Sequence, residues 1–226
     1  MHEWYAAPME GLTGWRWRQV QHEMFGRAAL YVTPFVSPNG NFSFQRKELE
    51  ELDPERNRGI PVVPQILTNR AEYFVWAAKE CRSRGWAQVD LNLGCPSGTV
   101  TGKKKGAGLL RQPELLRQLL DGIFDALPDM KISVKTRIGW ERAEEWPALL
   151  ALLETYPICR LTVHPRVRTQ FYKGTADREV FRWTAEHTAL PLCYNGDVTT
   201  VRDLWEMGEA FPDDAVMVGR GLVADP

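Results

Sequence analysis

Long apolar runs are missing from this chain. No stretch approaches ~18 consecutive apolar residues, so no membrane-spanning helix is predicted. Cysteine is scarce: Cys81, Cys95, Cys159 and Cys193 stand alone, with no C-x-x-C pair and no histidine cluster beside them. That spacing argues against zinc, and no metal is expected. The opening Met1-His2-Glu3-Trp4 lacks the basic and apolar regions of a signal peptide, so the thiols are read as free in a reducing cytoplasm. An excess of one charge is missing too. The 28 Lys and Arg nearly match the 29 Asp and Glu, giving a net charge of −1. A case for a nucleic-acid partner must therefore come from where the charges sit. No internal repeat and no low-complexity tract is present.

What is present is an ordinary globular composition, 44% hydrophobic and 25% charged, which excludes a disordered or fibrous chain. The 226 residues suit one domain, 1–226. Short apolar runs rich in β-branched residues fall at Trp4–Ala7, Tyr31–Val32, Val62–Ile66, Val89–Leu93, Ile132–Val134, Leu161–Val163, Leu192–Tyr194 and Ala215–Val218. Helical periodicity fills stretches between them. Arg70–Arg84 follows Asn69, a good N-cap residue, and Gln112–Leu127 repeats leucine at helical spacing. Trp146–Glu154 and Thr199–Ala210 behave alike, and Trp15–Phe25 more weakly. Residues 37–58 read as a long polar connection whose acidic run, Glu48 to Asp53, is a solvated face.

Eight βα units predict an α/β fold of the (β/α)8 TIM-barrel type. The open doubly wound sheet is the second choice, because no G-x-G-x-x-G turn follows the first run. The last strand ends near Val218 and the sequence stops at Pro226, so the barrel is expected to be truncated after strand 8, without its last helix.

In such a barrel the chemistry sits where strands end. Those ends carry Pro8, Met9 and Glu10; Gln65; Asn92, Gly94, Cys95 and Pro96; Lys135 and Arg137; His164, Arg166 and Arg168; Asn195, Gly196 and Asp197; and Gly219 and Arg220. A flexible basic loop, Gly102–Gly106 with Lys103, Lys104 and Lys105, follows Cys95. A basic mouth on a near-neutral chain suits an anionic ligand, and the two glycine turns after strands 7 and 8 suit a phosphate. Cys95 stands out from the other three cysteines, which read as small buried hydrophobes. His2, His22 and His187 have no polar companions and carry no assigned role.

At these residues the sequence resembles the tRNA-dihydrouridine synthases, FMN-dependent (β/α)8 barrels. The resemblance rests on Ala7-Pro8-Met9-Glu10-Gly11, Asp90-Leu91-Asn92-Leu93-Gly94-Cys95-Pro96-Ser97 and Gly106-Ala107-Gly108-Leu109-Leu110. It continues through Ser133-Val134-Lys135-Thr136-Arg137, Asn195-Gly196-Asp197-Val198 and Val218-Gly219-Arg220-Gly221. It implies that Pro8, Met9, Glu10, Gln65, Lys135 and His164 line the flavin. It also implies that Asn195, Gly196, Asp197, Gly219 and Arg220 hold its phosphate. Asn92 would orient the uracil, and Cys95 would be the proton donor. Lys103, Lys104, Arg137, Arg166 and Arg168 are expected to face substrate RNA.

The implied reaction reduces a uridine C5=C6 bond in tRNA with NADPH as reductant, and the implied full-length form is a cytoplasmic monomer. Pro165 and the three lysines depart from the family pattern. The family's C-terminal helical domain, which grips tRNA, lies outside these residues. Two other readings stand beside this one. The first is an FMN barrel dehydrogenase acting on a free pyrimidine, like a dihydroorotate dehydrogenase. The second is a flavin- and RNA-binding protein without catalysis.

Overall fold

The computed structural model describes residues 3–226, so Met1 and His2 lie outside the described part. Eight parallel strands form the barrel. They are β1 (Trp4–Ala6), β2 (Leu30–Val32), β3 in two pieces (Val62–Val63 and Gln65–Ile66), β4 (Gln88–Leu93), β5 (Lys131–Arg137), β6 (Arg160–His164), β7 (Leu192–Tyr194) and β8 (Ala215–Val218). Closure is visible in the pairing: β1 joins both β2 and β8, and the two ends of the sheet are the two pieces of β3. Pro64 separates those pieces. It has no N–H to donate, yet its carbonyl accepts from Asp90 N at 2.8 Å, so the strand changes neighbour there without a gap.

Helices cover the outside: α1 (Trp15–Met24), α2 (Arg46–Glu51), α3 (Ala71–Ser83), α4 (Gly98–Thr101), α5 (Pro113–Ala126), α6 (Trp146–Leu153), α7 (Arg178–His187), α8 (Val201–Ala210) and α9 (Arg220–Ala224). The stripe Leu116, Leu119, Leu120 and Ile123 buries α5, and Pro113 opens it where a missing N–H costs nothing. Its neighbour α3 buries Phe74, Ala77, Ala78 and Cys81. The two helices pack closely because Gly122 has no side chain; a Cβ there would meet Ala71 Cβ at 2.6 Å. The large core lies between strands and helices, and a smaller cluster of Tyr5, Ala7, Val32, Cys193, Ala215 and Met217 is separate from it.

The structure amends several sequence expectations. The N-cap of α3 is Arg70, and Asn69 instead donates to Lys103 O at 3.0 Å. Helix α7 was not expected, yet it is amphipathic: Phe181 and Thr184 are buried, Val180 and Trp183 pack against the core, and Asp177 caps it by accepting from Glu179 N and Val180 N. The acidic run is not wholly solvated. Glu48 is buried and accepts from Ser37 N and Gln45 N, while Glu51 pairs with the buried Arg18 at 2.8 Å. The residues after β8 turn at Gly219 into α9, where no helix was expected. The basic loop is a hydrogen-bonded turn continuing α4, with Lys103 N on Val100 O and Lys104 N on Thr101 O. Gly106 locks that turn: its φ is +55°, and a Cβ would meet Cys95 O at 2.9 Å.

Candidate active site

Alternation along parallel strands turns one set of side chains into the barrel. Register then sets their height. Gln65 pairs with Asp90, Asn92 with Lys135, Lys135 with Thr162, and Arg137 with His164. Polar groups from four strands thus meet at the C-terminal mouth, around a cavity of about 590 Å3.

A directed hydrogen-bond chain runs up its floor. Ser133 Oγ donates to Asp90 Oδ1 at 2.7 Å, and Gln65 Nε2 donates to Asp90 Oδ2 at 2.8 Å. Asn92 Nδ2 donates to Gln65 Oε1 at 2.7 Å, and Asn92 Oδ1 accepts the N–H groups of Gly94 and Cys95 at 3.1 and 2.9 Å. The loop bearing Cys95 is therefore anchored to the barrel interior. Burial pushes the Asp90 carboxyl up to about 6, against the pull of Gln65, Ser133 and Lys135.

Burial also raises the Cys95 thiol, and it outweighs Arg137 and Lys135, the cations that face it. Lys103 and Lys104 are exposed on the turn beyond and are not among the cavity-lining residues. Lys135 projects into the cavity and forms no ion pair among the described residues. Burial, with Arg137 adding, pushes its ammonium down to about 8. Arg137 donates to Gly94 O and Val167 O at 3.0 and 3.1 Å. Burial and the cations Lys135, Arg137 and Arg166 hold His164 well below its usual range, so the ring is neutral.

The turns after β7 and β8 form the opposite wall. Asn195 Nδ2 donates to Met217 O within β8 at 2.8 Å, and the two turns themselves are joined by Arg220 donating to Asp197. Gly196 is required there, because a Cβ would meet Ala176 Cβ at 2.5 Å. Asp197, at φ +47°, accepts from Arg166 at 2.6 Å, Ala176 N at 2.8 Å and Arg220 at 3.0 Å. Burial acts to raise its carboxyl, but these donors win and hold it below the usual carboxylate range. Its carboxylate is committed to holding the two arginines.

Thus Pro8, Met9, Glu10, Gln65, Asn92, Cys95, Lys135, Arg137, His164, Asn195, Gly196, Asp197, Gly219 and Arg220 all line one cavity. Arg166 and Arg168 do not. Arg166 is 1% exposed, its guanidinium spent on Asp197, Gly174 O, Lys173 O and His164, which removes it from reach of RNA. Arg168 lies outside the wall, bonded to Pro96 O and Thr101 Oγ1. Sequence reasoning missed Phe171 and Tyr172, which also line the cavity. Tyr172 lies under Arg137 and Arg220 at 5.5 and 4.7 Å, and Phe171 holds φ +51°. Exposed aromatics in an irregular loop carry no periodic signal; only their place after a barrel strand marks them.

Fold and site together define a (β/α)8 barrel with a cation-bearing, thiol-bearing cavity at the strand ends. The chain belongs to the dihydrouridine synthase family, whose model matches residues 5–226. It is 33% identical to a probable tRNA-dihydrouridine synthase of Rhizobium leguminosarum bv. phaseoli, across 97% of this chain and 68% of the relative. It is 30% identical to a probable tRNA-dihydrouridine synthase of Rickettsia conorii, across 97% of this chain and 66% of that protein. A tRNA-dihydrouridine synthase B of Proteus vulgaris is 30% identical, across 98% of this chain and 68% of the relative. The chain thus spans about two thirds of the length of these relatives.

Among solved structures, histamine dehydrogenase from Rhizobium sp. 4-9 superposes with TM-score 0.70 at 12% identity, over 99% of this chain and 44% of that one. An old yellow enzyme homologue from Zymomonas mobilis gives 0.66 at 10% identity, over 96% and 84%. Likeness at that identity speaks for the barrel fold alone. The family match disfavours a dehydrogenase acting on a free pyrimidine. No helix of the described residues is long and apolar enough to cross a membrane.

Proposed function

We infer that this chain is the catalytic barrel of a tRNA-dihydrouridine synthase, reducing a uridine C5=C6 bond in tRNA with FMN as cofactor and NADPH as reductant. One observation carries the reading. A thiol kept protonated by burial, Cys95, shares a cavity with an unpaired cation, Lys135, and two turns joined by the Asp197–Arg220 pair and suited to a phosphate.

The residues fit FMN. Lys135 supplies a cation for the electron-rich edge of the ring, and Ala7, Pro8, Met9 and Met217 offer an apolar wall. Gly219 lines the cavity beside Ala7 and Met9, and without a side chain its backbone is open to a phosphate. Arg220, held by Asp197, brings charge to that turn. FMN held there would supply the hydride chemistry for reduction at C6 of the uracil, with NADPH as the source of electrons. The remaining steps belong to the chain. Asn92 and Arg137 orient the base, Lys135 offsets the negative charge that develops, and the Cys95 thiol gives its proton to C5. His164 is neutral and serves as a hydrogen-bonding wall. The uridine must leave its stack to enter, and Tyr172 offers a ring at the mouth to receive it. Lys103, Lys104 and Arg168 face outward for the RNA backbone.

The test is anaerobic single turnover. Purified chain is reconstituted with FMN, reduced, and mixed with unmodified tRNA transcript. Dihydrouridine should appear by mass spectrometry in step with flavin reoxidation. A chain that binds and reduces FMN yet leaves the tRNA unchanged would overturn the reading.

A further inference from the structure

Outside the cavity, two arginines share one indole. Arg111 stands 4.3 Å from the Trp140 ring and Arg168 stands 4.6 Å from the same ring. Arg168 also lies 4.7 Å from the Phe171 ring. Two guanidinium groups gathered on one ring repel each other, and cation–π attraction offsets only part of that at a wet site. A structural pair would normally bring a carboxylate between them. Here neither arginine forms an ion pair among the described residues. The nearest acid in sequence to Trp140 to be fixed in place is Glu145, and it is spent on the backbone N–H groups of Trp140, Glu141 and Arg142 at 2.6, 3.0 and 2.9 Å.

The pair is also built rather than loose. Arg168 is held by Pro96 O at 3.1 Å and Thr101 Oγ1 at 3.3 Å. Its backbone N–H bonds Gly139 O at 2.9 Å, and Thr169 N bonds Trp140 O at 3.0 Å, which locks the two loops together. Gly139 makes that possible, with φ +154° and no room for a Cβ beside Arg142 O at 2.8 Å. Arg111 reaches the ring from just before α5 and is exposed.

Position decides what such a cation pair is for. Arg168 is bonded to the carbonyl of Pro96, the residue after Cys95. A uridine whose C5 rests on the Cys95 thiol carries its phosphates outward, past this rim. We propose that Arg111 and Arg168, spaced by Trp140, form a phosphodiester clamp that grips the RNA backbone next to the uridine in the cavity. The clamp rests on the proposed function for its substrate, and Arg111 and Trp140 are new to the RNA-facing set. Planar guanidinium groups suit phosphate oxygens, and the aromatic support removes much of the entropy cost of ordering them.

The experiment measures the affinity of unmodified tRNA transcript for the FMN-loaded chain by fluorescence anisotropy, from 50 to 300 mM NaCl. Each lost single-strand phosphate contact should flatten the log–log salt slope by about 0.7, which is about five-fold in affinity at 0.1 M salt. Arg111→Gln and Arg168→Gln should each show that change, and the double variant should show twice the slope change. Arg168→Lys should keep the slope, because charge alone sets counterion release. Arg82→Gln, exposed in the last turn of α3 at the far end of the barrel, should bind as wild type. Unchanged slopes and affinities in both glutamine variants would overturn the clamp, while dihydrouridine formation by the wild-type chain would leave the function standing. Conversely, a wild-type chain that forms no dihydrouridine but shows these slope changes would keep the clamp and sink the function. Binding that is salt-insensitive in the wild-type chain would overturn the clamp as well.

Discussion

Gln65 gives its amide N–H to Asp90 at 2.8 Å, and that bond sets the direction of every hydrogen bond from the barrel floor to the Cys95 loop. A carboxylate only accepts, so Gln65 must turn its oxygen to Asn92, and Asn92 must turn its oxygen to the N–H groups of Gly94 and Cys95. No flipped alternative satisfies all four groups. Asn92→Asp should therefore be worse than a neutral swap, because its second oxygen would face Gln65 Oε1. The expected cost is roughly 1–3 kcal/mol of stability, regained in acid as the new carboxyl protonates. Thermal melts of the variant at pH 4 and pH 7 check it, and a pH-independent difference would refute the polarity argument.

Asp90 itself is a strained member of that chain. Burial pushes its folded value up to about 6, above the unfolded carboxyl at ~3.9. Its protonated form is thus favoured by folding. That contribution is fully present below about pH 4 and is lost as pH rises through about 6. Asp90→Asn can keep both bonds, its oxygen toward Gln65 and its amide toward Ser133. At pH 7 it should be more stable than wild type by on the order of 2–3 kcal/mol, with the gap closing near pH 3.5. Urea melts at the two pH values measure this.

Most strands were legible because strands buried on both faces read as plain apolar runs. The register that brings Gln65 beside Asp90 was not, since it depends on how the barrel closes at Pro64. Helix α7 escaped because its stripe of Val180, Phe181, Trp183 and Thr184 is short and is interrupted in sequence by the charged Arg178, Glu179, Arg182 and Glu186. For the site, motif residues such as Lys135 and Asn195 could be placed from their positions after strands. Arg166 could not. A basic residue after a strand looks the same in sequence whether it meets solvent or, as here, a carboxylate 31 residues further on. The lysine turn misled for a related reason: Gly102 and Gly106 suggested mobility, whereas Gly106 is the residue that lets the turn close against Cys95.

Lys135 is the cation of the proposed flavin site, and burial leaves it titrating at about 8. An anionic ligand needs it charged. FMN affinity should accordingly hold below pH 7 and weaken as pH rises through about 8, opposite in direction to the phosphate's own ionisation, which adds negative charge as pH rises. Lys135→Met should lose most of the affinity and flatten this dependence. Quenching of free flavin fluorescence reports both; an unchanged profile in the variant would remove Lys135 from the site.

Cys95 is assigned the proton, and the assignment makes a paired demand on pH and on substitution. A general acid must be protonated before it acts. A free thiol sits at ~8.5, and neighbouring cations lower it. Burial outweighs Arg137 and Lys135 here and raises the thiol, so the acid form dominates at neutral pH. At saturating FMN, the bound anion holds the Lys135 ammonium charged, so the single-turnover rate should stay flat through neutrality. It should fall only as pH rises through the raised thiol value. Cys95→Ser should remove that alkaline limb and retain at most a trace of activity, because a hydroxyl is a far weaker acid. Cys95→Ala should bind FMN as wild type and abolish dihydrouridine formation, a loss in the range of the ~10²–10⁴-fold typical of a missing general acid. Rapid mixing of pre-reduced variants with tRNA across pH 6–10, following flavin reoxidation, reads all three. Wild-type rates in Cys95→Ala, or an alkaline limb that survives in Cys95→Ser, would move the proton to another donor.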